Sequence, residues 1–445
     1  MTNKKSVFII LVLSIATHFA FFGLPDETVF DEVHFGKFVS GYYTGEYYFD
    51  IHPPLGKLMI AGFAKLFNFK PEFNFAEIGE KFPDKKYLAL RFLPVLAGTL
   101  IPIIIFLLIL ELGISPIAAL AGGLFIIFEN AILTQSRLML LDPFLLLFGF
   151  TSLLFYFKSR SALYAVRYRV LMAVFAGLAV SIKWTGLSFL ALPIIIEMWE
   201  CRVNLSYKTL TRYFKWLVYF VGIVLTVYLS VFWLHFALLP KPGPGDAFMK
   251  PGFRDNSMVK NILDLNIEMY RSNQRLTATH PYNSSWYEWP FMVRPIYYWV
   301  DSASSPQVKD NARIYLFGNP VIWWSSTIAI AFGIKYLVLS IKKGKLDKVL
   351  AIMLGGYVLN LLPFIGIKRV MFLYHYLTAL IFAIMILCYL IDRFGKLTTS
   401  KNSRNVFIGI IAAAIAAFIF FAPLSYGLPL SNKDYEARVW FSVWR

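Results

Sequence analysis

Residues 29–57, VFDEVHFGKFVSGYYTGEYYFDIHPPLGK, bring Asp31, Glu32, His34, Asp50 and His52 into one aromatic-rich stretch that directly follows an apolar run. Ionisable residues recur where later apolar runs begin or end. Arg91 sits early in the second run, and QSRLMLLD carries Arg137 and Asp142. SIKWTG places Lys183 beside Trp184, GIKRVMFLYHY carries Lys368, Arg369 and His375, and THPYNSSWYEWPFMVRP carries His280, Glu288 and Arg294. These residue types suit one kind of chemistry. A carboxylate can take the proton of an attacking hydroxyl. Arginine and lysine can hold a phosphate and stabilise charge on it as it departs. Aromatic rings can stack on a sugar or cover an isoprenoid tail.

The elements that must position these groups are membrane helices. The 445-residue chain is 58% hydrophobic with a mean hydropathy of +0.61, and its 16% of charged residues falls below the roughly 25% of a soluble domain. Apolar runs long enough to cross about 30 Å of hydrocarbon fall near 6–24, 88–111, 113–130, 138–157, 170–183, 186–200, 216–239, 319–341, 349–367, 370–391 and 405–428, eleven in all. The first is read as an uncleaved helix, because its basic start and apolar middle lack a small-residue cleavage site.

Four loops, 158–169, 201–215, 342–348 and 392–404, each hold four Lys or Arg. Placing them in the cytoplasm puts the N-terminus inside and the C-terminus outside. The net charge of +17 therefore reflects membrane topology, not a nucleic-acid partner. Cys201 would lie in a cytoplasmic loop and Cys388 within an apolar run, which makes no disulfide framework. Two long segments, 25–87 and 240–318, then lie outside. In the first, PPLGKLMIAGFAKLFNF spaces Leu55, Leu58, Met59, Phe63, Leu66 and Phe67 as an interface-lying helix, with Lys57 and Lys65 on another face. The expected organisation is a catalytic membrane module over 1–239, an outer loop over 240–318 and a four-helix module over 319–445.

Ionisable groups at membrane depth mark a functional cavity by default. On the face away from cytoplasmic ATP and nucleotide sugars, the fitting substrate is a lipid-linked phosphate. No P-loop, GxGxxG, HExxH or CxxC pattern occurs. Asp31 and Glu32 could contribute to a divalent-cation site, but the sequence names no third ligand, so no metal or other cofactor is assigned.

The segments FDEVHFG, YFDIHPPLGKLMI, LTQSRLMLLD, GLAVSIKWTGL, HPYNSSWYEWPFMVRPIYYW and MFLYHY resemble, in order, signatures of the protein O-mannosyltransferase family. The resemblance implies an all-α, polytopic GT-C glycosyltransferase fold. It also implies transfer of mannose from a polyprenyl (dolichyl-type) phosphate to Ser or Thr hydroxyls of secreted proteins, with inversion. Carried onto this chain, Asp31 would be the base and Glu32 a positioning group, although the sequence leaves the base role open between them. Arg91, which matches the arginine of the second helix, would help bind the donor phosphate or sugar, and Arg137 would hold the donor phosphate. Lys183, Lys368, Arg369 and His375 would form a basic rim around it. Asp50, His52 and Arg294 would serve the acceptor or brace the loop, with Trp286 and Trp289 as an aromatic platform at the entrance.

Eukaryotic members carry a lumenal MIR domain in the last large outer loop, and 240–318 is too short for one. The chain thus resembles the compact prokaryotic members, placed in the cell membrane with the site facing outward. Eukaryotic relatives act as dimers, and nothing in the sequence tests that. One alternative is a related GT-C enzyme acting on a lipid or cell-wall glycan, as the aminoarabinose transferases of lipid A do. Another is an anionic-lipid transporter, disfavoured by the absence of an internal repeat and by the one-sided clustering of charge.

Overall fold

The computed structural model describes residues 3–161, 165–203, 205–275, 279–301, 310–398 and 400–445. Its helices in chain order are α1 Asn3–His18, α2 Glu32–Thr44, α3 Leu55–Leu66, α4 Tyr87–Glu111, α5 Pro116–Ile127, α6 Asn130–Ser136, α7 Asp142–Ser161 and α8 Ala165–Ile182. They continue as α9 Leu187–Val203, α10 Tyr207–Leu238, α11 Met258–Arg275, α12 Pro320–Lys342, α13 Lys348–Leu361, α14 Leu377–Thr398, α15 Ser400–Tyr426 and α16 Asn432–Glu436.

Each expected apolar run falls on a helix, the third on α5, while α6 lies between the third run and the fourth. Among the described residues, seven helical segments are long and apolar enough to span a membrane, or eight if the bent α5–α6 pair counts as one span. The difference from eleven has a local cause. α1 and α9 have only 16 and 17 residues, and α7 carries Asp142, Lys158 and Arg160 in its end turns. The 57° bend between α5 and α6 is organised by Glu129. Its buried carboxylate accepts the Ile132 N–H at 2.8 Å, capping α6, and the Asn319 N–H at 2.7 Å at the start of α12.

Within the bundle α4 packs on α1, α3, α5 and α7, while α14 packs on α5, α12, α13 and α15. The span that includes α14 is 83% buried by its neighbours, whereas α10 is only 17% buried and lies at the periphery. The long loops are structured. α3 forms where the sequence places it, but Lys57 is buried beneath α2, its ammonium bound to the Asp50 carboxylate and to the His52 carbonyl at 2.9 Å. The expectation of a polar face there is corrected: a neutralising carboxylate seven residues upstream lets the lysine go inside.

Two outer-loop elements have no counterpart in the sequence reading. α11 is amphipathic and buries Ile262, Leu265 and Met269 against Phe49 and Phe232. A three-stranded antiparallel sheet, β1 Ile296–Val300, β2 Asp310–Leu316 and β3 Pro429–Ser431, joins the outer loop to the C-terminal segment. The helical class stands, with this small sheet added.

The loop between α1 and α2 is fastened to the bundle by one buried ion pair. Arg91 Nε and Nη2 donate to the two Glu32 carboxylate oxygens at 2.7 and 2.6 Å, with side chains 1% and 0% exposed. The other guanidinium N–H groups donate to the carbonyls of Gly23, Pro25 and Glu27 at 2.6–2.7 Å. Glu32 in turn accepts from the Val29 and Met139 backbone N–H groups at 2.9 and 2.8 Å. Both side chains are saturated with partners. Removing one partner of such a pair strands a buried charge, so Arg91→Met and Glu32→Gln should each destabilise the protein by about 3–5 kcal/mol. Unfolding of the detergent-solubilised protein would measure this, and a stable Glu32→Gln variant would count against the pair as a structural tie.

Candidate active site

Asp31 immediately precedes the first residue of α2, and its geometry is set by its neighbours. Phe30 adopts a left-handed φ of +47°, a conformation that costs a non-glycine residue on the order of 1–3 kcal/mol. Its ring stacks on Tyr298 at 4.0 Å and 9°, which holds the turn. The Asp31 carboxylate has no hydrogen-bond or ion-pair partner among the described residues. Burial raises its pKa from 3.8 to about 6. His34 and Lys183 oppose that rise, and Asp142 and Asp50 add to it. Asp31 is thus ionised at neutral pH yet more basic than an ordinary carboxylate, the condition a general base needs.

A relay of polar contacts links β1 to the membrane helices beside it. Tyr298 Oη donates to Gln135 Oε1 at 2.7 Å, and Gln135 Nε2 donates to Asp142 Oδ2 at 2.6 Å. Lys183 Nζ donates to both Asp142 oxygens at 2.8 and 2.9 Å. Lys183 also lies 5.2 Å from the Tyr374 ring centroid, a cation–π distance.

Asp142 and Lys183 open into a cavity of about 340 Å³, within the range of small-molecule sites. His52, Arg369, His375 and Asn360 join them in its polar wall, with Thr185, Ser188 and Thr378. Leu145, Leu187, Leu359, Pro363 and Phe364 line the apolar part, and Tyr270, Asn273 and Gln274 of α11 complete it. Trp184 Nε1 donates to Tyr228 Oη at 2.9 Å, which donates to Asn266 at 2.5 Å, fixing α11 to α10. Burial, reinforced by Lys183 and Arg369, holds the His52 imidazole well below its usual range and therefore neutral at physiological pH. Asp31 is not among the cavity-lining residues; it lies within electrostatic reach of Lys183 and Asp142, which are.

A second, outer cavity of about 520 Å³ shares Ile367 and Arg369 with the first. Lys368, Arg294, Glu288 and Ser285 line it. Arg369 Nε and Arg294 Nε are both buried without a hydrogen-bond partner among the described residues.

The sequence-derived candidates therefore divide. His52, Lys183, Arg369 and His375 converge on the inner cavity, and Lys368 and Arg294 on the outer one. Glu32 and Arg91 are consumed by each other, so Glu32 is not free to act as a base. Arg137 departs from its expected phosphate role. It donates to the carbonyls of His18 at 3.2 Å, Phe21 at 2.6 Å and Ala20, and its guanidinium sits 4.5 Å from the Tyr426 ring centroid. It thereby ties together carbonyls at and just beyond the end of α1. Asp50 is paired with Lys57. Trp289 is no entrance platform: it is fully buried, donates to Ser284 Oγ at 3.0 Å, and stacks on His375 at 5.7 Å. Trp286 is half-buried, edge-on to Tyr287 at 5.7 Å.

Asp142, visible in the sequence as an ionisable group at the start of a run, belongs in the site as the partner of Lys183. Asn360 carried no sequence signal, since a lone asparagine in an apolar run is equally a packing residue. Among the described residues no three His, Cys, Asp or Glu side chains converge as a metal-binding set.

Comparison with known proteins places this geometry in a family. Residues 8–240 match the family model described as dolichyl-phosphate-mannose-protein mannosyltransferase, and residues 258–444 match the C-terminal four-transmembrane region of protein O-mannosyltransferase. Protein O-mannosyltransferase 1 of Drosophila melanogaster is 32% identical over 333 residues, covering 71% of this chain and 37% of that protein. Dolichyl-phosphate-mannose–protein mannosyltransferase 4 of Candida albicans is 35% identical over 287 residues, covering 61% and 38%. The chain thus spans less than two fifths of the length of these relatives.

The fold agrees. The Saccharomyces cerevisiae Pmt1-Pmt2 complex bound to the sugar donor superposes with a TM-score of 0.92 at 21% identity, covering 100% of this chain and 93% of that one. ArnT from Cupriavidus metallidurans bound to undecaprenyl phosphate gives 0.57 at 14% identity, covering 96% and 77%. These neighbours share the GT-C fold. With the family model spanning residues 8–240, more than half of the sequence, this integral membrane protein belongs to the protein O-mannosyltransferase family.

Proposed function

We propose that the protein transfers mannose from a polyprenyl phosphate mannose to Ser or Thr hydroxyls of secreted polypeptides, on the extracytoplasmic face of the membrane. The observation that carries this reading is the pairing of an amphipathic cavity with a partnerless carboxylate of raised basicity beside it. The apolar wall from Leu145 to Phe364 suits an isoprenoid chain, and the cationic wall suits its phosphate. Arg369 is the phosphate ligand in this reading, because its Nε has no partner among the described residues. Lys183 adds charge stabilisation while Asp142 holds it in place. Neutral His52, together with His375, can hydrogen-bond the phosphate or the sugar. The outer cavity, sharing Arg369, is the approach for the acceptor.

The step is a single displacement. Asp31 takes the proton of the acceptor hydroxyl as its oxygen bonds to the anomeric carbon. The bond from that carbon to the phosphate oxygen breaks, and its electron pair leaves on the polyprenyl phosphate. One attack from the opposite face inverts the anomeric centre. The cations near the phosphate stabilise the charge that grows there.

Transfer of labelled mannose from polyprenyl phosphate mannose to a Ser/Thr-rich peptide tests the assignment. Asp31→Asn should lower the rate by about 10²–10⁴. Because the folded carboxyl titrates near 6 and not 3.8, ionised Asp31 disfavours the native state at neutral pH. That penalty is full above about 6 and is lost progressively as pH falls from there to the unfolded value of 3.8, so Asp31→Asn should leave unfolding at pH 7.5 unchanged or raise its midpoint. Loss of stability with no loss of turnover would overturn the role. In wild type, kcat/KM should fall as pH drops below about 6.

The two arginines should separate in the same assay. Arg369→Gln should raise the KM for the lipid-linked donor and slow transfer, on the order of 10² in kcat/KM, in a folded protein. Arg137→Gln should lower the unfolding midpoint instead. The reverse pattern would return the phosphate to Arg137. Folded protein that glycosylates only lipid or glycan acceptors would redirect the reading to that substrate class.

A further inference from the structure

We infer that a groove between α8 and α10, at the end of the molecule opposite the active-site cavity, binds the headgroup of an anionic phospholipid. The helices fix its location. α8 runs into Lys183 of the active-site cavity at one end, while Arg169 lies near its other end. Fourteen residues at 1.5 Å each separate the two by about 21 Å. α10 has 32 residues, about 48 Å of helix against about 30 Å of hydrocarbon. Its apolar run begins near Trp216, so the preceding turns project to headgroup depth.

The groove, of about 680 Å³, is lined by Arg169 and Val166 of α8 and by Tyr207, Lys208, Arg212 and Lys215 of α10, with Trp216 and Tyr219 above them. Lys208, Arg212 and Lys215 follow an i, i+4, i+7 spacing and share one helical face. Like charges so spaced repel one another and weaken a helix. The first turn of α10 adds the positive end of its dipole. Among the described residues none of these four cations forms an ion pair, and no carboxylate lines the groove.

The adjoining depression shows the contrast. It shares Arg169, Arg212 and Trp216, but there Arg160 is neutralised by Glu197 at 3.0 Å and by Glu200. The fold thus supplies carboxylates one step deeper and none at the lipid-facing mouth. Above the cations, Tyr219, Val218, Leu225 and Leu229 of α10 are exposed, giving acyl chains a continuous apolar track. A phosphate diester joined to acyl chains satisfies both parts; a soluble phosphate satisfies only the first. Basic pockets of this kind between membrane helices recognise anionic headgroups.

Native mass spectrometry of the full-length protein in detergent, titrated with palmitoyl-oleoyl phosphatidylglycerol or the matching phosphatidylcholine, tests this. Wild type should retain the anionic lipid preferentially. Arg169→Gln/Arg212→Gln/Lys215→Gln should weaken that retention about tenfold or more, whereas Arg160→Gln and the charge-preserving Arg169→Lys/Arg212→Lys should keep it. If the triple variant does not fold, Lys208→Gln and Arg212→Gln alone should each give a partial loss. Equal retention of both lipids by wild type would overturn the inference, as would undiminished binding in the neutralised variants. Full displacement by millimolar inorganic phosphate would also overturn it, by identifying a small-anion site.

Discussion

The buried ion pair between Glu32 and Arg91 is the constraint on which the outer half of the molecule rests. A carboxylate and a guanidinium at this depth are tolerable only when every lone pair and N–H has a partner. Meeting that demand draws in the carbonyls of Gly23, Pro25 and Glu27 and the N–H groups of Val29 and Met139. The loop after α1, the start of α2, α4 and the turn before α7 are thereby joined at one point. Asp31 inherits its position from this tie. Two adjacent acidic residues acquire opposite characters: one is saturated with partners, the other has none among the described residues and is the more basic.

The same rule sorts the remaining cations. Arg91, Arg137 and Lys57 are deeply buried and spent on carboxylates or carbonyls. Lys183 and Arg369 face the cavity, and among the described residues only Lys183 of the two is held by a carboxylate. Charge in the cavity is therefore organised as a held ammonium and a guanidinium with unused donor capacity, beside the His52 imidazole, which burial keeps neutral. That arrangement can receive an anion without first breaking a saturated ion pair. At the far end of α8 and α10 the pattern recurs in simpler form, with cations that have no ion-pair partner among the described residues.

Much of the helical framework was legible because membrane spans are written as contiguous apolar runs, with their ends marked by charge. The existence of helix α3 was legible from the spacing of Leu55, Leu58, Met59 and Phe63. The bend at Glu129 was not, because its cause is a contact with Asn319, 190 residues away. Nor was the sheet. β3 pairs with β2 across more than 100 residues, and a three-residue strand carries no periodicity to read. α11 was overlooked because it is amphipathic and polar on average, and its apolar stripe acquires meaning only against Phe49 and Phe232.

The sequence by itself determined the class, the family and the residues from which a site could be drawn. Those depend on composition, on short motifs and on the cost of placing charge in a bilayer, all of which are local properties. It could not assign roles within that set. Whether an arginine is a ligand or a brace depends on which carbonyls and carboxylates fold back to meet it, and those partners lie 59 residues from Arg91 and more than 100 from Arg137. In the tertiary structure Asp31 and Glu32 differ in their partners, as do Arg369 and Arg137, and the roles proposed for them rest on that difference. A buried polar group is defined by its partners, and partners are brought together only by the fold.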